Sequence, residues 1–270
     1  MSRPKIGLAL GSGGARGIAH FGVVKVLQEA GISFDFIAGS SMGSIVGVLL
    51  ANGADMDLCG KLIGQLKVPN WIDLSMPKKG FIQGVRIKEL IRLLTHEKNL
   101  EQLEIPTAVV ATDLQNGERV IFTEGPIDEA VRASISIPGV FEPVYHQGRI
   151  LTDGGVIDRV PISVVRDMGA DFVIAVDVIP RVHEAKIENI FDVMTQTLSI
   201  MQREILSQQM LTADFLFHPH VGDFSATSFR KSEVLIERGR VEAEKHITQL
   251  KNLLMHWQGE RISDALEKME

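Results

Sequence analysis

Phe34-Asp35-Phe36-Ile37-Ala38-Gly39-Ser40-Ser41-Met42-Gly43-Ser44-Ile45-Val46-Gly47-Val48-Leu49-Leu50-Ala51 passes from a β-rich apolar run into a helical one through a single Gly-x-Ser-x-Gly pentapeptide. Strand, Gly-x-Ser-x-Gly and helix in that order form the setting of a nucleophile elbow, which holds a serine hydroxyl clear of the sheet. The glycines have a steric task. A turn this sharp brings backbone against backbone, and larger side chains at Gly39 and Gly43 would collide. Ser41 is therefore the candidate nucleophile. Read alone, the pentapeptide is also compatible with a flexible Gly/Ser turn; the flanking strand and helix favour the elbow.

Working outward, apolar β-rich runs at Ile6 to Leu10, Phe34 to Ala38, Thr107 to Thr112, Val120 to Thr123 and Phe172 to Val178 alternate with helical periodicity. The helical segments are Ile18 to Ala30 and Met42 to Asn52, stopped by Gly31 and Gly53, then Met56 to Lys67 and Val85 to His96. This alternation predicts an α/β layered domain. Uninterrupted runs such as Phe172-Val173-Ile174-Ala175-Val176 fit a mostly parallel sheet covered by helices on both faces. Gln147-Gly148 is the expected tip of a hairpin joining Val144-Tyr145-His146 to Arg149-Ile150-Leu151.

With 270 residues, 45% of them hydrophobic and 23% charged, the chain can bury a substantial core and is neither fibrous nor disordered in composition. The apolar run after the charged N-terminus is too short for a signal-peptide core, so the expected location is the cytoplasm. Cys59 is the sole cysteine and excludes an internal disulfide. A formal charge of −6 argues against nucleic acid and against a constitutive hold on anionic lipid, leaving only local, transient membrane contact.

A serine hydroxyl attacks only when a base takes its proton and donors stabilise the oxyanion that forms. For the donors, Gly11-Ser12-Gly13-Gly14-Ala15-Arg16-Gly17 follows the first strand and opens a helix, a place where consecutive N–H groups can form an anion-binding nest. A dinucleotide fingerprint starting at Gly11 would need glycine where Arg16 stands, and a P-loop would need Gly-Lys-Ser/Thr. Nucleotide binding is thus disfavoured, and Arg16 is read as a cation beside the nest. For the base, two arrangements are open. One is a triad of Ser41, Asp153 and His218 or His220, which suits an α/β-hydrolase order but not the early position of the elbow. The other is a dyad in which Asp153, followed by Gly154-Gly155, takes the serine proton directly. An aspartate is a weak base unless burial raises its proton affinity. The apolar lead-in Ile150-Leu151 could supply that burial.

Taken together, Ser12 to Gly17, Gly39 to Gly43 and Asp153-Gly154-Gly155 resemble the patatin-like lipid acyl hydrolases, specifically their small bacterial branch. The resemblance implies a three-layer patatin-like core over residues 5–180. It also implies Ser41 as nucleophile, Asp153 as its dyad base, and the amides of Gly13 and Gly14 as an oxyanion hole with Arg16 lending positive charge. Ser12 departs from the family pattern, which has glycine there. Ser136-Ile137-Pro138-Gly139-Val140-Phe141-Glu142-Pro143 resembles the stretch before the family's aspartate. Met42 and Phe141 are the expected substrate-binding side chains. The implied activity is hydrolysis of a lipid or fatty-acyl ester through an acyl-enzyme, with no metal or cofactor.

Two regions stand outside the motifs. Val68 to Gly84 is irregular but apolar around Trp71, and packs over the core, caps a pocket or touches lipid. Residues 181–270 are expected as a helical extension on the same domain, with long helices from Ile187 to Leu211 and from Ser232 towards Trp257 around a short Phe215-Leu216-Phe217 run. The last dozen residues are polar and expected to fray. The C-terminal helices leave a second function open: a regulatory or adaptor protein of this fold with little activity, holding a protein partner or a second copy there.

Overall fold

The structure, a computed structural model, describes residues 3–65, 73, 80–180, 187–188, 190–210 and 212–257. Most of the apolar Val68 to Gly84 connection and the polar residues 258–270 lie outside the described residues. In chain order the elements are β1 (Ile6–Leu10), α1 (Ala19–Glu29), β2 (Phe36–Ser40), α2 (Met42–Ala51), α3 (Met56–Gln65), α4 (Val85–Leu94), β3 (Thr107–Asp113) and β4 (Glu118–Phe122). They continue with α5 (Ile127–Ser134), β5 (Val144–His146), β6 (Arg149–Asp153), α6 (Ile162–Asp167), β7 (Phe172–Val176), α7 (Ile190–Met210), β8 (Phe215–Phe217) and α8 (Ser232–Met255).

The strands form one eight-stranded sheet in the order β5-β6-β3-β2-β1-β7-β8, with β4 also paired to β3. Its centre is parallel: β1 pairs with β2 and β7, β2 with β3, and β7 with β8. The β4, β5 and β6 side is antiparallel. Alternate residues of the central strands point to the two faces of the sheet. Leu8, Leu10, Ile37, Val109, Ile174 and Val176 join the larger core with α1, α2 and α8. Ala9, Ala38, Ala108 and Ala175 face the other way and let Ile162, Val164 and Val165 of α6 pack close to the sheet. The expected hairpin is present, with φ of 47° at Gln147 and 79° at Gly148, the pair of positive angles that a two-residue hairpin turn requires.

One detail of register places the candidate site. β4 occupies one edge of β3 from Val109 to Asp113. The other edge is shared: β2 pairs with Thr107 to Val110, and β6 with Ala111 to Asp113. Because β2 is parallel to β3 and β6 antiparallel, their C-terminal ends meet head-on, Ser40 opposite Val110 and Asp153 opposite Ala111. Two segments more than a hundred residues apart thus end side by side.

α8 crosses α1 with the backbones in contact. A Cβ on Gly239 would run into the Ala19 carbonyl oxygen, and one on Gly22 into that of Ile236. The crossing has no room for a methyl group and no flexible side chain to yield. Gly239→Ala is expected to destabilise the fold by about 2 kcal/mol, a typical cost of overpacking. In a thermal melt followed by circular dichroism, that is a Tm lower by roughly 4–8 °C.

Candidate active site

Ser41 sits between β2 and α2 with φ 53° and ψ −122°, a backbone conformation that side-chain-bearing residues rarely adopt. The surrounding packing enforces it. A Cβ on Gly39 would lie 2.5 Å from the Gly43 carbonyl oxygen, and one on Gly43 would collide with the Leu10 carbonyl. The elbow is pinned by further bonds. The Ser41 amide donates to Ser134 Oγ at 2.8 Å, and its carbonyl accepts from Ser44 Oγ at 2.6 Å.

The hydroxyl of Ser41 donates to Asp153 Oδ2 at 2.6 Å, in the range of a charge-assisted O–H···O⁻ bond. The other carboxylate oxygen accepts from the Gly155 amide at 2.7 Å. Asp153 is held through its backbone as well, its amide donating to Ser136 O and its carbonyl accepting from Thr112 Oγ1. Gly154 is required here, because a Cβ would strike the Val110 carbonyl. Among the described residues no imidazole takes part in this contact. His20 is bonded to the Gly11 carbonyl, His146 packs edge-on against Phe122, and His218 Nδ1 lies 3.7 Å from Asp177.

The glycine loop after β1 faces the same hydroxyl. Its amides divide into two sets. Gly11 donates to Val176 O, Ser12 to Arg159 O at 2.9 Å and Ala15 to Ala226 O at 2.7 Å. The amides of Gly13 and Gly14 have no acceptor among the described residues. Ser12, Gly13, Gly14, Arg16, Ser41 and Asp153 line one cavity with Ile137, Pro138, Val156, Ile179, Thr195, Leu198, Ser199 and Ala226. Two unsatisfied donors and a serine hydroxyl bonded to a carboxylate thus share an otherwise largely apolar cavity, an arrangement suited to acyl transfer.

The sequence model of the family described as patatin-like phospholipase matches residues 8–166, which contain every one of these motifs. The chain belongs to the patatin-like phospholipase family. An uncharacterized NTE family protein of Mycobacterium tuberculosis is 43% identical over 177 residues, covering 65% of this chain and 49% of that protein. A lysophospholipase, nte1, of Aspergillus fumigatus is 35% identical over 180 residues, covering 64% of this chain and 12% of that protein. The chain therefore spans half or less of the length of these curated relatives. Among solved structures, VipD from Legionella pneumophila superposes with a TM-score of 0.67 at 14% identity, over 92% of this chain and 67% of that one, which speaks for the fold alone.

In this patatin-like site, burial pushes the Asp153 carboxyl up to about 6, against the opposing pull of its bonds from Ser41 and the Gly155 amide. Burial drives His20 down to about 4, so its neutral ring donates to Gly11 O and steadies the base of the glycine loop. Arg16 is buried beside the cavity. Its Nε donates to Phe224 O at 2.7 Å, and the charge of Asp192 partly offsets the burial that lowers its proton affinity. It ties the loop around Phe224 to the glycine loop, beside the Ala15 to Ala226 bond.

The remaining expected positions fall elsewhere. Met42 is buried under the glycine loop, where a Cβ on Gly17 would meet its Cγ at 2.5 Å, and Phe141 lies under the Arg132 guanidinium, 5.4 Å from ring centroid to Cζ. Neither is among the described residues that line the cavity. The side chain after an elbow serine follows the helix into the core, and Phe141 points back to α5. Ile137 and Pro138 of the same stretch, and Thr195, Leu198 and Ser199 of α7, line it instead. Ser134, whose Oγ accepts from the Ser41 amide, sits on α5, a helix absent from the sequence-based expectations. Pro126, the acids Asp128 and Glu129, and apolar Ile127, Ala130 and Val131 at helical spacing are the signal that could have found that helix.

Proposed function

We propose that this chain is a serine lipid acyl hydrolase working through a Ser41–Asp153 dyad and an acyl-enzyme intermediate. The observation that carries the proposal is the direct 2.6 Å bond from Ser41 Oγ to a buried carboxylate. Asp153 takes the hydroxyl proton as Ser41 Oγ attacks the ester carbonyl carbon, and the tetrahedral oxyanion is held by the amides of Gly13 and Gly14. Collapse of that intermediate releases the alcohol, which leaves with the proton that Asp153 returns. Asp153 then takes a proton from water as its oxygen attacks the acyl carbon, and returns that proton to Ser41 Oγ when the second tetrahedral intermediate collapses to the fatty acid. Ile137, Pro138, Val156, Ile179 and Leu198 offer the acyl chain an apolar wall.

A fluorophosphonate tests the reading without knowledge of the natural ester. Mass spectrometry is expected to place the covalent adduct on Ser41, and the rate of labelling is expected to rise with pH through about 6, because only the ionised Asp153 accepts the proton. An adduct on another residue, or none, overturns the proposal.

A further inference from the structure

α7 presents two different faces. Thr195, Leu198 and Ser199 line the cavity, while Ile190, Val193, Ile200 and Met201 point away from it, 65%, 47%, 51% and 69% exposed. Their spacing of three, seven and one residues puts these four on one helical stripe. Ile187, 56% exposed, precedes it. Exposed apolar side chains set singly over a surface are ordinary; a row of them along one helix, beside the cavity of a candidate lipase, calls for an occupant.

The stripe is continuous with the cavity wall. Met194, between the two faces, lies against Gly139, where a Cβ would meet its Sδ at 3.1 Å, and Ile137 and Pro138, just before that glycine, line the cavity. Beyond that segment, Phe81 donates its amide to Val140 O at 3.0 Å and leaves its ring 48% exposed. Apolar groups from separate parts of the chain thus flank the same wall. The stripe also carries no charge. From Ile190 to Met201 the single ionisable residue is Asp192, which is buried and accepts from Ser225 Oγ at 2.5 Å, the Ala226 amide at 3.2 Å and the Glu188 amide at 3.0 Å.

We infer that this stripe docks the protein on a lipid monolayer, inserting Ile190, Val193, Ile200 and Met201 among the acyl chains and holding α7, whose other face lines the cavity, at the lipid surface. The inference rests on the acyl-hydrolase reading, since it is the acyl chain that must travel from membrane to Ser41. A protein partner would be recognised through aromatic or arginine anchors and a polar rim. Aliphatic and thioether side chains match hydrocarbon instead, in the manner of a helix lying in the interface plane. With a chain charge of −6 and an uncharged stripe, binding does not draw on anionic headgroups.

The full chain and its Val193→Glu/Ile200→Glu variant are to be sedimented with phosphatidylcholine vesicles, beside Ser41 labelling by a soluble fluorophosphonate and size-exclusion chromatography. The wild type is expected to bind the vesicles, with affinity little changed when salt rises to about 0.5 M, where exposed charges are screened. The variant is expected to lose roughly 100-fold in vesicle affinity, about tenfold per side chain, while its labelling rate stays at the wild-type value. Wild-type protein that ignores vesicles, or a variant that binds them equally well, overturns the inference. So does a wild-type dimer that the two substitutions split, which would make a second copy the occupant. Vesicle binding is read without turnover, so it decides the docking surface even where Ser41 proves unreactive.

Discussion

Ser41→Ala is expected to lower kcat/KM on a short-chain nitrophenyl ester by about 10⁴-fold or more, and Asp153→Asn by nearly as much, with the double variant little worse than either alone. The non-additivity is the informative part. Two groups that act through one proton transfer lose their function together, whereas independent contributions would multiply. Activity that survives both substitutions removes the dyad. Loss on His218→Ala or His220→Ala alone would point to a triad that the 2.6 Å contact argues against.

Asp153→Asn carries a second readout of opposite sign. The carboxyl is pushed up to about 6 from 3.8, so between those pH values the native state holds a proton that the unfolded chain has released. Stability therefore declines as pH rises through that window, and at neutral pH the whole penalty of burying the charge is present. It is on the order of 2–3 kcal/mol. Asparagine removes the charge, still accepts from the Gly155 amide and can donate to Ser41 Oγ. An inactive variant that melts a few degrees above the wild type at pH 7, but not at pH 4, is the expected signature; equal melting at both would mean that the buried charge costs nothing.

The sequence was most legible where one residue type answers a steric demand. Gly39 and Gly43 could be read as close-contact positions because the elbow admits nothing larger, and Gln147-Gly148 because the hairpin needs two positive φ angles. Boundaries set by pairing were less legible. The second strand was expected at Phe34 to Ala38 and runs from Phe36 to Ser40, since Gly39 and Ser40, poor strand formers by propensity, are held by Val109 and Val110 of β3. The meeting of β2 and β6 along one edge of β3 has no local signature, because it follows from registers between segments far apart in the chain. The same holds for Thr195, Leu198 and Ser199, brought to the cavity by the packing of α7. Met42 and Phe141 stand outside the cavity lining for a related reason: proximity in sequence to Ser41 and to the Pro138 segment does not fix the direction of a side chain.

Gly14→Ala is expected to cost 10²- to 10³-fold in kcat, roughly 2.7–4 kcal/mol of transition-state stabilisation, with a much smaller change in KM. Gly14 has φ +56°, and a Cβ there would lie 2.6 Å from the Ala226 carbonyl oxygen. That oxygen is already committed to the Ala15 amide at 2.7 Å, so the methyl group can be relieved only by moving the glycine loop. The amides displaced are those of Gly13 and Gly14, the two without an acceptor, and a shift of a few tenths of an ångström misaims them at an oxyanion. Ser12 is not expected to share the role, because its amide is spent on Arg159 O. Gly117→Ala separates strain from position: its φ is +67° with nothing within 4 Å, so it bears the same backbone penalty far from the nest. Equal losses of kcat in the two variants would mean that stability, not oxyanion binding, is being measured. Loss in Gly14→Ala alone, in protein that melts no lower than Gly117→Ala, assigns the effect to the donors.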